Sequence, residues 1–281
     1  PITYYGWTDW VKKRCQMTLD QAPGVYDGCF LDMLMSAPLN PTYNQSGTVP
    51  VKDQSTDATW TATEWMQMTG NLAQTVATYT NKPIEGNALS NGISFYSTSN
   101  IRGPTKNLLP DITTAWAEIT LRDPHSAATA YPTTTAWKQH IQMMIDAGTA
   151  HTPLITTTKL WTTATTQQQD QWRTYALATY LLGNTGSDYF EFSTSPQNTP
   201  LDDYNTLYTT NIGTPTETHP TTDDYLKNGL YQRTYTNGIT IINPTTTTQT
   251  TTLPTTYQTP NGTTTTQITL PPNTATILTK P

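Results

Sequence analysis

The chain reads as an α/β protein that turns all-β near its end. Apolar segments of strand length alternate with helical segments up to about residue 192, and a period of two takes over after Gly229. A second sign is where the apolar runs stop. The stretch Tyr26-Asp27-Gly28-Cys29-Phe30-Leu31-Asp32 ends on a carboxylate, and residues 82–87 end on Glu85-Gly86-Asn87. About five strands separated by helices or long loops predict a parallel sheet, whose strand ends gather polar groups.

Each element has a local reason. Residues 3–20 predict a helix, with Trp7, Trp10, Val11, Met17 and Leu19 near helical spacing as its apolar stripe. In the strand that follows, side chains alternate, so Gly28, Phe30 and Asp32 point one way while Cys29 and Leu31 point the other. Residues 34–56 form a long polar loop carrying Pro and Gly. A helix over 58–80 leads to the strand 82–87, and 112–118 is the next strand, with Thr114, Trp116 and Glu118 on one side. Helices over 133–148 and 167–182 precede strands at 153–159 and 188–192. Beyond Gly229, Tyr231, Arg233 and Tyr235 alternate, and Thr236-Asn237-Gly238 signals a hairpin into a strand at 239–243. Asn261-Gly262 marks another turn, and 268–270 and 275–278 read as further strands. The expected division is therefore an α/β domain over 1–228 and a small antiparallel β domain over 229–281.

Composition narrows the function classes. At 281 residues and 31.1 kDa the chain can bury a large core, yet only 12% of it is charged. The net charge of -6 disfavours a nucleic-acid partner, which requires a basic patch. No apolar run reaches the roughly 18 residues of a membrane span. The first residues lack the basic-then-apolar pattern of a signal peptide, so any targeting segment lies outside them. Roughly a quarter of the chain is threonine, and no valine follows Val76. The two side chains share a shape and differ by a hydroxyl. That distribution predicts that many positions written as threonine are valine or other residues in the molecule.

The ordered series Asp27-Gly28-Cys29-Phe30-Leu31-Asp32, Ile84-Glu85-Gly86-Asn87, Ala115-Trp116-Ala117-Glu118, Leu181-Leu182-Gly183 with Tyr189-Phe190, Gly213-Thr214-Pro215 and Tyr231-Gln232-Arg233-Thr234-Tyr235-Thr236-Asn237-Gly238 through Asn243-Pro244 resembles a family of glycoside hydrolase-like proteins. The resemblance covers nearly the whole chain. It implies a (β/α)8 TIM barrel followed by a small antiparallel β-sandwich-like domain. It departs from the family where threonine replaces valine and other residues. It also implies that the strand ending at Asp32 is the fourth of the barrel, so that strands four to eight lie here and the N-terminal strands come from a missing or separate segment.

On that reading Asp32 and Glu118 sit at the mouths of the fourth and sixth strands, in one alternating layer. Strand spacing puts their carboxyl groups roughly 5 to 10 Å apart, a bracket holding both the retaining and the inverting glycosidase geometry. Glu118 is assigned as proton donor, as the more buried carboxyl, and Asp32 as nucleophile or base, with the exchanged roles left open. Asn87 is a candidate for binding a sugar hydroxyl and Trp116 for stacking on a sugar ring, each with a plain structural alternative. Glu191 is a candidate third carboxylate, and Arg122, Lys159 and Trp161 lie just beyond strand ends where they can line a pocket. Arg233, between two tyrosines, reads as structural.

Other chemistries find no support in the residues. His125, His140, His151 and His219 lack zinc-ligand spacing, and no nucleophile elbow, phosphate loop or dinucleotide fingerprint occurs, so no metal or cofactor is expected. Cys29 points from its strand toward the preceding helix, where Cys15 can meet it; two buried free thiols are the equal alternative. Asn44-Gln45-Ser46 and Asn261-Gly262-Thr263 are candidate glycosylation acceptors. Two functions follow from different classes. One is an extracellular or cell-surface glycoside hydrolase acting on a polysaccharide or oligosaccharide; the other is a non-catalytic structural or carbohydrate-binding protein of a homo-oligomer, extracellular assembly or filament.

Overall fold

The computed structural model describes residues 5–39, 51–53, 55–99, 102–197 and 205–281. Much of the predicted loop over 34–56, including the Asn44 acceptor, lies outside them. Five strands form a parallel sheet in the order β1 (Cys29–Leu31), β2 (Ile84–Asn87), β3 (Thr114–Ala117), β4 (Leu154–Lys159) and β5 (Tyr189–Ser193). The sheet is open: β1 and β5 are its edges, and it does not close into the expected barrel. A second, six-stranded antiparallel sheet runs in the order β10 (Thr264–Leu270), β9 (Gln249–Gln258), β11 (Thr274–Thr279), β8 (Gly238–Asn243), β7 (Leu230–Thr234) and β6 (Leu226–Lys227). It is one curled sheet in place of the expected sandwich-like pair of layers. No described helix is long and apolar enough to cross a membrane.

Contacts divide the chain into two compact units, one of residues 1–118 and 149–155 and the other of 119–148 and 156–281. In the first unit, α1 (Trp7–Gln21) precedes β1, α2 (Ala62–Thr80) precedes β2, and the short α3 (Gly92–Tyr96) follows β2. Cys15 on α1 and Cys29 at the start of β1 form a disulfide, with Cα atoms 6.2 Å apart, a spacing within the usual range. The stripe expected to bury α1 is mostly not buried. Leu19 is its one buried residue, whereas Trp7 is 67% exposed and stacks on Trp10 at 4.9 Å. Helix α2 starts on a capping box in which Thr61 and Glu64 exchange hydrogen bonds, satisfying two N–H groups the helix leaves free. Its buried side holds Met66, Ala73 and Val76. Backbone pairing aligns Phe30 with Glu85 and Leu31 with Gly86, then Glu85 with Thr114 and Asn87 with Trp116. Gly86 lets these strands pack closely, since a Cβ there would sit tightly against Leu34 at 3.0 Å and Ala88 at 3.3 Å.

In the second unit, α4 (Thr134–Thr149) and α5 (Thr166–Gly183) bury Trp137, Ile141, Trp172, Tyr175 and Leu182 against one face of the antiparallel sheet, with Tyr231, Tyr235, Ile242 and Ile277. The buried indoles find acceptors: Trp137 donates to Thr179 Oγ1 at 3.0 Å and Trp172 to the Ala128 carbonyl at 2.7 Å. The other face closes on its own core of Leu230, Ile239, Ile241, Leu253, Tyr257, Leu270 and Leu278. Strand β9 (Gln249–Gln258) is not among the strands predicted above. Threonine is β-branched and suits a strand, and Thr251, Leu253 and Tyr257 alternate inward. Pro254 interrupts it where its pairing with β10 (Thr264–Leu270) slips between Thr265 and Gln267.

Candidate active site

Parallel pairing carries the alternation of one strand into the next. Phe30 is level with Glu85, so Asp32 is level with Asn87, and Asn87 is level with Trp116, two residues before Glu118. These side chains therefore share one face at the C-terminal ends of β1, β2 and β3. The Asn87 side chain joins the two acids directly. Its Nδ2 donates to Asp32 Oδ1 at 2.8 Å and to Glu118 Oε2 at 2.8 Å. Two bonds of 2.8 Å from one nitrogen place the facing carboxylate oxygens at most 5.6 Å apart. With donors diverging as in a planar amide, the separation is about 4.8 Å.

The three residues differ in exposure. Asp32 is exposed, Glu118 half-buried, and Asn87 only 3% exposed. Asp32 Oδ1 also accepts the Met33 N–H at 2.9 Å. Asn87 Oδ1 is buried with no hydrogen-bond partner among the described residues, a state that costs about 1–3 kcal/mol. The amide is turned to serve the two acids at the expense of its own oxygen. The Asn87 backbone is held as well, its carbonyl accepting from Leu34 N at 3.1 Å.

Aromatic groups flank the pair. Trp116 is half-buried and meets Phe30 with ring centroids 6.0 Å apart. A groove of about 850 Å³ runs between α1, β1 and α2, with Trp7, Trp10, Phe30, Asp32 and Trp65 among its lining residues. Sequence reasoning missed this groove, although the spacing of Trp7 and Trp10 was visible, because an apolar stripe at helical spacing does not say what covers it.

The remaining candidates belong to the second unit, each with partners there. Glu191 on β5 is half-buried and accepts from Thr157 Oγ1 at 3.0 Å. Lys159, at the end of β4, is buried with its Nζ 4.7 Å from the centre of the Trp161 ring. Arg122 is buried, lies 4.6 Å over the Trp172 ring and donates to the Ser126 carbonyl; burial pulls its pKa down. The structure thus brings Asp32, Asn87, Glu118 and Trp116 to one face, and engages Glu191, Lys159 and Arg122 in local packing. Arg233 is structural, as expected: Nη1 donates to the carbonyls of Leu181, Leu182 and Asn184 at the end of α5, and Nε to that of Glu217. Asn261 stands exposed on the turn between β9 and β10.

No protein-family model matches the chain, and no curated protein matches it in sequence.

Proposed function

We propose that the protein is a glycoside hydrolase of extracellular polysaccharide or oligosaccharide, with Glu118 as proton donor and Asp32 as nucleophile or base. The observation that carries this reading is the Asn87 amide, whose single nitrogen bonds both carboxylates at 2.8 Å. Two acids at such a spacing, on strand ends with one strand between them, are the minimum equipment for cleaving a glycosidic bond. The difference in exposure supports the division of roles, since the less exposed carboxyl is the better placed acid. Trp116, Phe30 and the groove aromatics offer flat apolar faces of the kind sugar rings stack on. The disulfide supports an oxidising, extracellular setting. The open edges of the parallel sheet support its belonging to a TIM barrel completed by strands outside the described residues.

A second reading, a non-catalytic subunit of an extracellular assembly, is favoured by one observation. Trp7, Tyr26, Phe30 and Met33 are exposed around edge strand β1, and exposed apolar groups beside an unpaired edge mark contact surfaces. Reducing-sugar release from a polysaccharide panel separates the two. The wild type is expected to release sugar and Glu118→Gln to lose at least a hundredfold of that rate. Equal rates in the two would refute the acid assignment, and no release from any glycan would refute the hydrolase reading.

A further inference from the structure

We infer that the reaction proceeds by double displacement with retention of anomeric configuration, and that Asn87 is the positioning residue that sets the distance required. The inference rests on the hydrolase reading above. Inversion needs a water between the anomeric carbon and the base, and therefore carboxyl groups about 6.5–9.5 Å apart, whereas direct attack by a carboxylate needs about 5–5.5 Å. Asp32 Oδ1 and Glu118 Oε2 are bonded to the same nitrogen and are at most 5.6 Å apart, so the closest approach of the two carboxyl groups falls short of the water-wide gap that inversion needs. Asn87 Oδ1, buried and without a partner among the described residues, is the independent sign that this amide is posed for the acids and not for its own satisfaction.

The hydrogen bonds also divide the oxygens. Asp32 Oδ1 takes both the Asn87 amide and the Met33 N–H, which leaves Oδ2 to attack. In the first step Asp32 Oδ2 forms an ester bond to the anomeric carbon as the glycosidic C–O bond breaks, and the Glu118 proton passes to the leaving oxygen. In the second step Glu118 takes a proton from water, the water oxygen bonds to the anomeric carbon, and the ester C–O bond breaks. Asp32 returns as carboxylate and Glu118 as acid, so the only co-reactant is water.

The test follows the first-formed anomer by proton NMR, using the full chain and the oligosaccharide it cleaves fastest in the panel. The expected product has the anomeric configuration of the substrate. A first product of opposite configuration would overturn the inference while leaving the hydrolase reading intact; absence of cleavage would remove both. The 2,4-dinitrophenyl 2-deoxy-2-fluoro glycoside of the released sugar is expected to add one fluoroglycosyl mass to the peptide containing Asp32, and addition to Glu118 instead would overturn the roles. Asn87→Ala is expected to lower kcat about a hundredfold with KM within about threefold, and to move the limbs of the pH–rate profile. An unchanged kcat and profile in a folded variant would overturn the positioning role. Should that variant not fold, the wild-type anomer and the labelled peptide still decide the matter.

Discussion

Replacing Arg233 by methionine isolates the joint between β7 (Leu230–Thr234) and the end of α5. The guanidinium is 2% exposed and donates four hydrogen bonds to carbonyls at 2.6–3.2 Å, three of them from the last residues of α5 and its cap. A helix end leaves such carbonyls without intrahelical partners, and a cation there also meets the negative end of the dipole. The four carbonyls share three N–H groups, two on Nη1 and one on Nε, and three charge-assisted bonds at about 1.5 kcal/mol each give a gross loss of about 4.5 kcal/mol. Relief from burying a charge offsets part of it, leaving about 2–4 kcal/mol net. Urea unfolding followed by tryptophan fluorescence reads this as a midpoint lowered by roughly 1–2 M. Arg233→Lys is expected to recover less than half, because one ammonium cannot reach carbonyls on both α5 and the segment at Glu217. A methionine variant within about 1 kcal/mol of wild type would refute the view that this arginine closes the helix end.

Three further perturbations read other parts of the account. His140, fully buried on α4, is held down at about 4 by loss of solvation, so the folded state keeps it neutral while the unfolded chain protonates it below about 6.5. Its contribution is whole above that value and is lost as pH falls toward 4; relative to His140→Leu, wild type is expected to lose about 2–3 kcal/mol between pH 7.5 and 4.5, and a constant difference in urea midpoints would contradict this. The Cys15–Cys29 bridge closes a separation of 14 residues, worth about 3 kcal/mol by chain entropy, so reduction should lower the urea midpoint and the unreduced, unfolded chain should show no titratable thiol. Peptide mass spectrometry tests the threonine distribution: valine masses are expected at buried strand positions such as Thr158 and Thr240, and threonine masses throughout would end that expectation.

Much of the α/β part was legible because its signals are local. The run Gly28 to Asp32 contains strand β1 and the run ending at Asn87 contains β2, and the alternation Thr114, Trp116, Glu118 reappears as a half-buried face against buried Ala115 and Ala117. Asp32 and Glu118 could be named for the same reason: each ends or follows a short apolar strand. Their actual spacing was not legible, since it depends on one amide reaching across two strands. Nor was the disulfide distinguishable from two thiols, because the approach of α1 to β1 is tertiary. Trp7 and Trp10 misled because helical spacing marks an apolar stripe without saying what covers it. Strand β9 was hidden by repetition: ten residues with five threonines blur the alternation that Thr251, Leu253 and Tyr257 carry. The barrel was expected from resemblance, and closure of a sheet is a property of all its strands together.

The central claim is that two acids, brought together by one amide, act as a single device. Rates for wild type, Asp32→Asn, Glu118→Gln and the double variant on the same oligosaccharide test it most directly. Each single change is expected to cost at least a hundredfold, and the double change little more than the worse single one, because groups that work as a unit fail as a unit. Losses that multiply, or single variants that retain the wild-type rate, would contradict it.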